Sequence, residues 1–451
     1  MFVLHLALGG CLKSPPISYG ETADTGGHIA YVLEAAAAQA RHPLVESVSV
    51  VTRRFRDARL GPAYAVRSER MSRNLSIDRV SSRSTLYLEK AALAAELPSF
   101  TTAFCAHLAA LPRLPDVIHA HFADAASVAS AVRGLFGIPF VYTPHSLGID
   151  KRAHGPGDDG IAQRIACERG AIGQADAIVV SSRDEAERQV RAYRVADAAS
   201  RTFAVSPGVP RLNDATEAAA GILDLGAWLD EPDKPMVLAI ARPVRKKNLP
   251  MLTRAFAASP SLMAHANLVI LAGQHGGGSA SGEEAGIVAE LDLLCRSTAL
   301  RGRMALPPRH VAADVASLYR QAASGGVFVN AALHEPFGLT TIEAAAAGVP
   351  VVATRNGGPS DIVETLGNGL LVDPTDQEAI AAACLRIVSD GALHAAFSRS
   401  GLDRVGRYSW PRYAQRTVSL YAALTGSLET ASPAPRRIAP DVVSCAQPAR
   451  V

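Results

Sequence analysis

The feature that most limits what this chain can become is a rhythm: short apolar, β-branched runs of strand length return between Ala-rich stretches of helical length. In the first half the runs are Met1–Leu8, Val48–Thr52, Val117–His121, Phe140–Thr143 and Ala177–Ser181. The second half repeats the pattern with Met236–Ala241, Leu268–Ala272, Gly326–Asn330, Pro350–Thr354 and Gly369–Val372. Runs that are apolar throughout belong to strands covered on both faces, as in parallel sheets. Parallel neighbours in turn need crossovers long enough to hold a helix. The reading is α/β, with two Rossmann-like parallel-sheet domains facing a cleft.

Val205–Val209 closes the first domain with a Pro-Gly turn, and 213–235 reads as a helix and linker before the next strand. The boundaries expected are 1–212, then 213–431 with a final helix crossing back, then a mobile Pro-, Ala- and Arg-rich tail over 432–451. The stretch 73–107 is the least readable part of the core. With 45 basic against 42 acidic residues and a net charge of +3, there is no field to draw nucleic acid or a membrane, so any anion site is local. Six scattered cysteines fit a reducing cytoplasm. The apolar start is short and lacks a basic leader, so it reads as a first buried strand and not as a signal peptide or membrane span.

The most informative segment is HEPFGLTTIEAAAAGVPVVAT, His334–Thr354, which sets Glu335 in a loop and Glu343 inside a helix starting near Leu339. The unbonded N–H groups and positive end of such a helix make a seat for a sugar hydroxyl or a diphosphate. Two glutamates at this spacing alone describe an ordinary helix surface; the Pro-Phe-Gly turn between them, leading to a buried strand, moves the motif to the ligand-binding edge of a sheet. After the first strand of domain two, ARPVRKKN supplies Arg242 and Lys247, cations suited to the charge that grows on a departing diphosphate. Arg245 and Lys246 read as a solvated basic loop. In domain one, Gly26 and Gly27 precede a long helix and allow close backbone approach. TPHSLGIDK places His145 at a strand end, and His119 and His121 fall on one side of the preceding strand; those two read as shaping the strand end.

Together these segments resemble the retaining glycosyltransferases of the glycosyltransferase B fold, and within them the sucrose-phosphate synthase group. The resemblance runs over nearly all of residues 1–425. It rests on DTGG (24–27), DVIHAHFADA (116–125), TPHSLG (143–148), Arg242 with Lys247, GVFVNAALHEPFGLTTIEAAAAG (326–348), NGGPSDIV (356–363) and NGLLVDPTDQEAI (368–380). It implies a nucleotide-sugar donor, UDP-glucose, with Arg242 and Lys247 on the diphosphate, Glu343 on the ribose and Glu335 near the sugar. Gly27 and the backbone N–H groups of Phe337, Gly338 and Leu339 would also serve the donor, and His145 would reach it from across the cleft. The acceptor implied is fructose 6-phosphate, its phosphate matched by Lys90, Lys151 and Arg164, beside Gly26 and His28. The acceptor hydroxyl would attack from the leaving-group face, with its proton passing to the departing phosphate oxygen. No cofactor is required on this pattern, and no Asp-x-Asp metal motif is present; Mg2+ can assist without a dedicated site.

The departures from the pattern fall on the acceptor side. His28 stands where relatives read Gln, Gly9 and Gly10 replace a His-Gly, and AALAAELPSF follows Lys90 in place of an aromatic-rich helix. A phosphatase-like extension is not expected, so the product would leave phosphorylated. The alternatives are a mannosylfructose-phosphate synthase or another hexosyltransferase and, from a different class, a catalytically silent sugar-nucleotide binding protein. A Rossmann dehydrogenase is disfavoured because no G-x-G-x-x-G follows the first strand.

Overall fold

The computed structural model describes residues 1–17, 22, 24–154, 160–209, 223–275 and 282–426; the side chains of Lys90, Ala91, Lys151, Ala153 and His154 lie outside that description. The first domain carries β1 (Phe2–Ala7), β2 (Ser47–Arg53), β3 (Ser68–Ser72), β4 (Leu75–Val80), β5 (Val117–His121), β6 (Phe140–Thr143), β7 (Ala177–Val180) and β8 (Thr202–Ala204). They form one sheet in the order β3-β4-β2-β1-β5-β6-β7-β8. Every pairing is parallel except β3 with β4. The second domain carries β9 (Met236–Ile240), β10 (Asn267–Leu271), β11 (Met304–Ala305), β12 (Val327–Asn330), β13 (Val351–Thr354) and β14 (Gly369–Val372). Its order is β11-β10-β9-β12-β13-β14, all parallel.

Both sheets reverse strand order once, between β1 and β5 in the first and between β9 and β12 in the second. Loops from either side of such a reversal part at the carboxyl edge of the sheet and leave a crevice. Leu4, Ile118, Phe140 and Ile178 pack under helices on one face of the first sheet. Val3, Ile29, Val32, Val117 and Val141 pack on the other. Burial on both faces is why these strands read as continuous apolar runs.

The helix Trp410–Leu424 follows domain two in sequence but packs on domain one, where Trp410, Tyr413, Val418 and Tyr421 join the core beside Ile29 and Val32. It thus crosses back onto domain one. Each such side chain contributes about 1.5–3 kcal/mol when fully buried, so this helix is a structural part of domain one. Gly208 marks the crossing: a Cβ there would lie 2.3 Å from the Trp410 amide nitrogen.

Two sequence readings need correction. Of the helix expected over 213–235, residues 223–235 form only a 3-10 turn, Leu225–Ala227, and loop. Leu225 and Leu229 bury against domain two, which ties the segment down in place of a free helix. Residues 213–222, the expected boundary at 212 and the tail 432–451 lie outside the described residues. The unreadable stretch contains β4 and the helix Lys90–Ala109. That helix holds Pro98 in its interior, which works against any helix assignment from sequence, and β3 and β4 are rich in Ser, Asp and Arg because they form an antiparallel edge. Among the described residues no single helix is long and apolar enough to cross a membrane.

Candidate active site

On the domain-two side, the chain leaves β9 and makes a 3-10 turn, Arg245–Lys247, ended by Asn248 at φ 59°. Asn tolerates this left-handed geometry better than most residues. Its amide anchors the turn by donating to Ala331 O (3.1 Å) and Pro374 O (2.8 Å). The turn carries Lys247 onto Glu335, and the two side chains form an ion pair with only 22% and 12% exposure. Burial works to raise the Glu335 carboxyl, but Lys247 and Lys246 outweigh it and hold it below the ordinary carboxylate value. The carboxylate is therefore present as an anion at neutral pH.

The Glu335 loop is set by the chain that follows β13. Glu335 N donates to Asn356 O (3.1 Å), Gly358 N donates to Glu335 O (2.9 Å), and Asn356 Nδ2 donates to Leu333 O (2.8 Å). A Cβ on Gly357 would lie 2.1 Å from Glu335 O, and one on Gly358 2.5 Å from Phe337 O, so the Asn-Gly-Gly of 356–358 is a contact requirement of the loop. Gly338, at φ 97°, then starts the helix Leu339–Ala346. No side chain caps that start, and Thr341 N donates to Gly338 O (2.9 Å), so the N–H groups of Leu339 and Thr340 are what it offers an anion or hydroxyl. Phe337 is buried against Tyr408 and anchors the turn. Glu343 lies one turn on, half-buried, accepting from Tyr319 Oη at 3.2 Å. Burial pushes its carboxyl up to about 7, against the hydrogen bond from Tyr319.

Arg242 pairs loosely with Glu284 (3.6 Å) and is half exposed. Lys246 corrects the sequence reading: it is partly buried and not a solvated lysine. Its ammonium is pushed down to about 8 by burial and then by Lys247, against Glu335, with Arg242 and Arg164 adding to the depression. Those charges reach one another only because Arg242, Lys246 and Lys247 of domain two and Arg164 of domain one share one neighbourhood. Arg245 is exposed, as read.

The domain-one wall begins with Gly26, which leads into the helix Gly27–Ala40. A Cβ on Gly27 would be 3.5 Å from Leu339 Cδ1, so this glycine faces the start of the helix Leu339–Ala346 directly. His28 sits edge-on to Phe122 (5.1 Å between centroids) and 6.2 Å from the ring of His145. His145 itself has φ 57°, a conformation rare outside glycine and found where a site requires it. Arg164 is committed locally: it donates to Glu168 Oε1 (2.7 Å) and to Ser146 O (2.8 Å), bracing the loop after His145. Lys90 begins its helix and Lys151 lies in the helix Gly148–His154; both side chains are outside the described ones.

Sequence reasoning missed a polar contact between the domains. His334 Nε2 lies 3.1 Å from Asp150 Oδ2, 3.3 Å from Asp184 Oδ2 and 3.0 Å from Arg188 Nη2. Arg188 also forks onto both Asp150 oxygens (2.7 and 2.9 Å). With Ser182 Oγ donating to Pro336 O (2.9 Å), this cluster pins the Glu335 loop to domain one. The signal was present as a His beside Glu335, but its partners are distant in sequence.

Paired nucleotide-type domains whose strand ends meet cationic side chains and an open helix start define a two-domain glycosyltransferase of the B fold. Residues 26–208 match the family model for the glycosyl transferase 4-like domain, and residues 226–404 that for glycosyl transferases group 1. Over these residues the chain belongs to these glycosyltransferases. It is 32% identical over 501 residues to a probable sucrose-phosphate synthase 4 of Oryza sativa subsp. japonica, and 31% identical over 502 residues to the sucrose-phosphate synthase of Spinacia oleracea. Each alignment covers 94% of this chain and 47% of the relative, so the chain spans about half the length of these curated relatives. A sucrose-phosphate synthase from Thermosynechococcus elongatus is similar in structure, with a TM-score of 0.74 at 24% identity, covering 94% of this chain and 99% of that one. Anabaena HepE in complex with UDP and glucose gives a TM-score of 0.64 at 16% identity, covering 94% and 100%. At these identities the structural likeness speaks for the fold.

Proposed function

We propose that this chain transfers glucose from UDP-glucose to the hydroxyl of fructose 6-phosphate with retention of anomeric configuration. The observation that carries the reading is the Lys247–Glu335 pair beside the open start of the helix Leu339–Ala346, directly across from Gly27. On this reading Lys247 and Arg242 meet the charge that accumulates on UDP as it leaves. Such fixed cations stabilise the transition state more than the bound donor. Glu335 and the first-turn N–H groups address the sugar, Glu343 the ribose, and His145 the sugar from domain one. Lys90, Lys151 and Arg164 take the acceptor phosphate; Arg164 brings part of its charge already neutralised by Glu168, which leaves the two lysines the larger share. The acceptor proton passes to the departing phosphate oxygen. On this reading no metal is required, and Mg2+ is at most a stimulant.

The test is a screen of UDP-glucose and GDP-mannose, each with fructose 6-phosphate and fructose, with the product identified. UDP release with the phosphorylated acceptor alone is the expected result. Turnover of GDP-mannose in its place would transfer the reading to the mannosyl reaction. Nucleotide binding without release under any acceptor would leave a silent binding protein.

Glu343 gives this reading a pH signature. An ionised carboxylate accepts from both ribose hydroxyls, and its raised pKa means that form is lost as pH falls through about 7. The affinity for UDP-glucose, whose diphosphate does not titrate in this range, should weaken about tenfold between pH 8 and pH 6. Glu343→Gln should flatten the dependence. A flat profile for the unaltered protein by calorimetry removes Glu343 from the ribose site.

A further inference from the structure

A continuous hydrogen-bonded chain runs from the crossing helix to His145. Gln39, on the helix Gly27–Ala40, donates through Nε2 to Thr417 Oγ1 (2.9 Å) and Tyr421 Oη (3.0 Å). Its Oε1 lies 2.7 Å from His5 Nε2. His5 Nδ1 meets His121 Nε2 at 2.8 Å, and His121 Nδ1 meets His145 Nε2 at 2.8 Å. The rings of His5, His121 and His145 stack with centroids 5.2 and 5.0 Å apart. The nitrogens of His5, His119 and His121 lie close enough to suggest a metal site. Every one of them already has a hydrogen-bond partner, however: His119 meets Tyr421 Oη (2.5 Å) and Thr143 Oγ1 (2.7 Å).

The direction of the chain follows from Thr417. Its single hydroxyl hydrogen goes to Tyr413 O at 3.0 Å, the back-bond open to a helical Thr, so toward Gln39 the hydroxyl accepts. That fixes the amide with Nε2 toward the crossing helix and Oε1 toward His5. An amide oxygen only accepts, so His5 carries its hydrogen on Nε2. Burial keeps His5, His121 and His145 neutral at physiological pH, with His5 lowered to about 4 and the others well below their usual value. A neutral imidazole has one N–H, so His5 Nδ1 accepts from His121 Nε2, and His121 Nδ1 accepts from His145 Nε2.

We propose that Gln39, His5 and His121 are positioning residues that lock His145 in its Nε2–H tautomer, leaving Nδ1 as a hydrogen-bond acceptor for a substrate hydroxyl. No described residue bonds that Nδ1. The polarity is set by the crossing helix, so a helix that follows domain two in sequence fixes the proton on a cleft residue of domain one. The substrate part rests on the function proposed above; the tautomer part does not.

Nitrogen-15 NMR of histidine-labelled full-length protein tests it. In the unaltered protein His145 should show a protonated Nε2 and an unprotonated Nδ1; a protonated Nδ1 overturns the proposal. Gln39→Glu places an acceptor-only carboxylate beside His5, which then takes up a proton as its partner. The imidazolium donates from Nδ1 and reverses the chain, so the proton on His145 should move from Nε2 to Nδ1. With it the rate of transfer should fall at least about tenfold, as a wrong tautomer dictates, and UDP affinity should hold. An unchanged His145 tautomer in a folded Gln39→Glu protein overturns the directional chain and leaves Gln39 a packing residue. Should that variant not fold, the unaltered spectrum decides alone. Loss of the proposed transferase activity would leave these spectra as they are, which separates the two failures.

Discussion

Lys247→Ala is expected to lower kcat by about a hundredfold or more, equivalent to ~2.7 kcal/mol of transition-state stabilisation, measured with UDP-glucose and fructose 6-phosphate. Two effects act together. The leaving UDP loses a cation held in place by a short turn, and Glu335 loses the partner that outweighs its burial. A carboxyl so released rises toward neutrality and protonates more readily, so kcat of the variant should fall further as pH is lowered, beyond the loss of UDP-glucose affinity that Glu343 brings to both proteins. Lys247→Arg should recover only part of the rate, because a guanidinium fork does not occupy the place of a compact ammonium. An unaltered melting temperature would show that the fold survives. Wild-type kcat in a folded Lys247→Ala protein would end the assignment of this site.

Gly357→Ala should be nearly as damaging without removing any ionisable group, though its methyl would also press on His334 Nε2 at 3.0 Å. At φ 99° and ψ −152° Gly357 occupies a region that is essentially glycine-only. The added methyl would meet Glu335 O at 2.1 Å. Something must move, and the Glu335 backbone is the nearer party. A displacement of about 1 Å at a reacting group is enough to lose about a hundredfold in rate, and the strain itself costs about 1–3 kcal/mol of stability. Gly391→Ala is the matched control, since a Cβ there meets nothing within 4 Å. Equal UDP-glucose affinity and turnover in the two variants would show that the 356–358 turn does not hold the Glu335 loop.

The half of the candidate site proposed to hold the donor could be assembled from the sequence because its parts are local. Glu335, Gly338 and Glu343 lie on one loop and helix, and Arg242 and Lys247 on one loop after a strand. Strand-end placement turned each short segment into a wall of the same crevice. The Asn-Gly-Gly at 356–358 was legible as a motif, but its reason, a carbonyl pressed against a missing Cβ, is a fact of packing. Lys246 was misread for a related cause: a lysine pair in a loop looks solvated until the chain that covers it is known. The proposed acceptor half was less legible because its basic residues come from separate helices, and one of them, Arg164, spends its fork on Glu168 and Ser146.

By itself the sequence determined the two parallel sheets, the crossovers between them and the charged loop at the end of β9, since hydrophobic period and turn chemistry act over a few residues. Only the tertiary structure decided which histidines touch, which nitrogen holds a proton, and that His334 reaches Asp150 and Asp184. Those contacts join residues such as Gln39 and Tyr421, 382 positions apart. No local pattern carries that information; it arises when burial removes water and leaves each polar atom to find its partner within the protein.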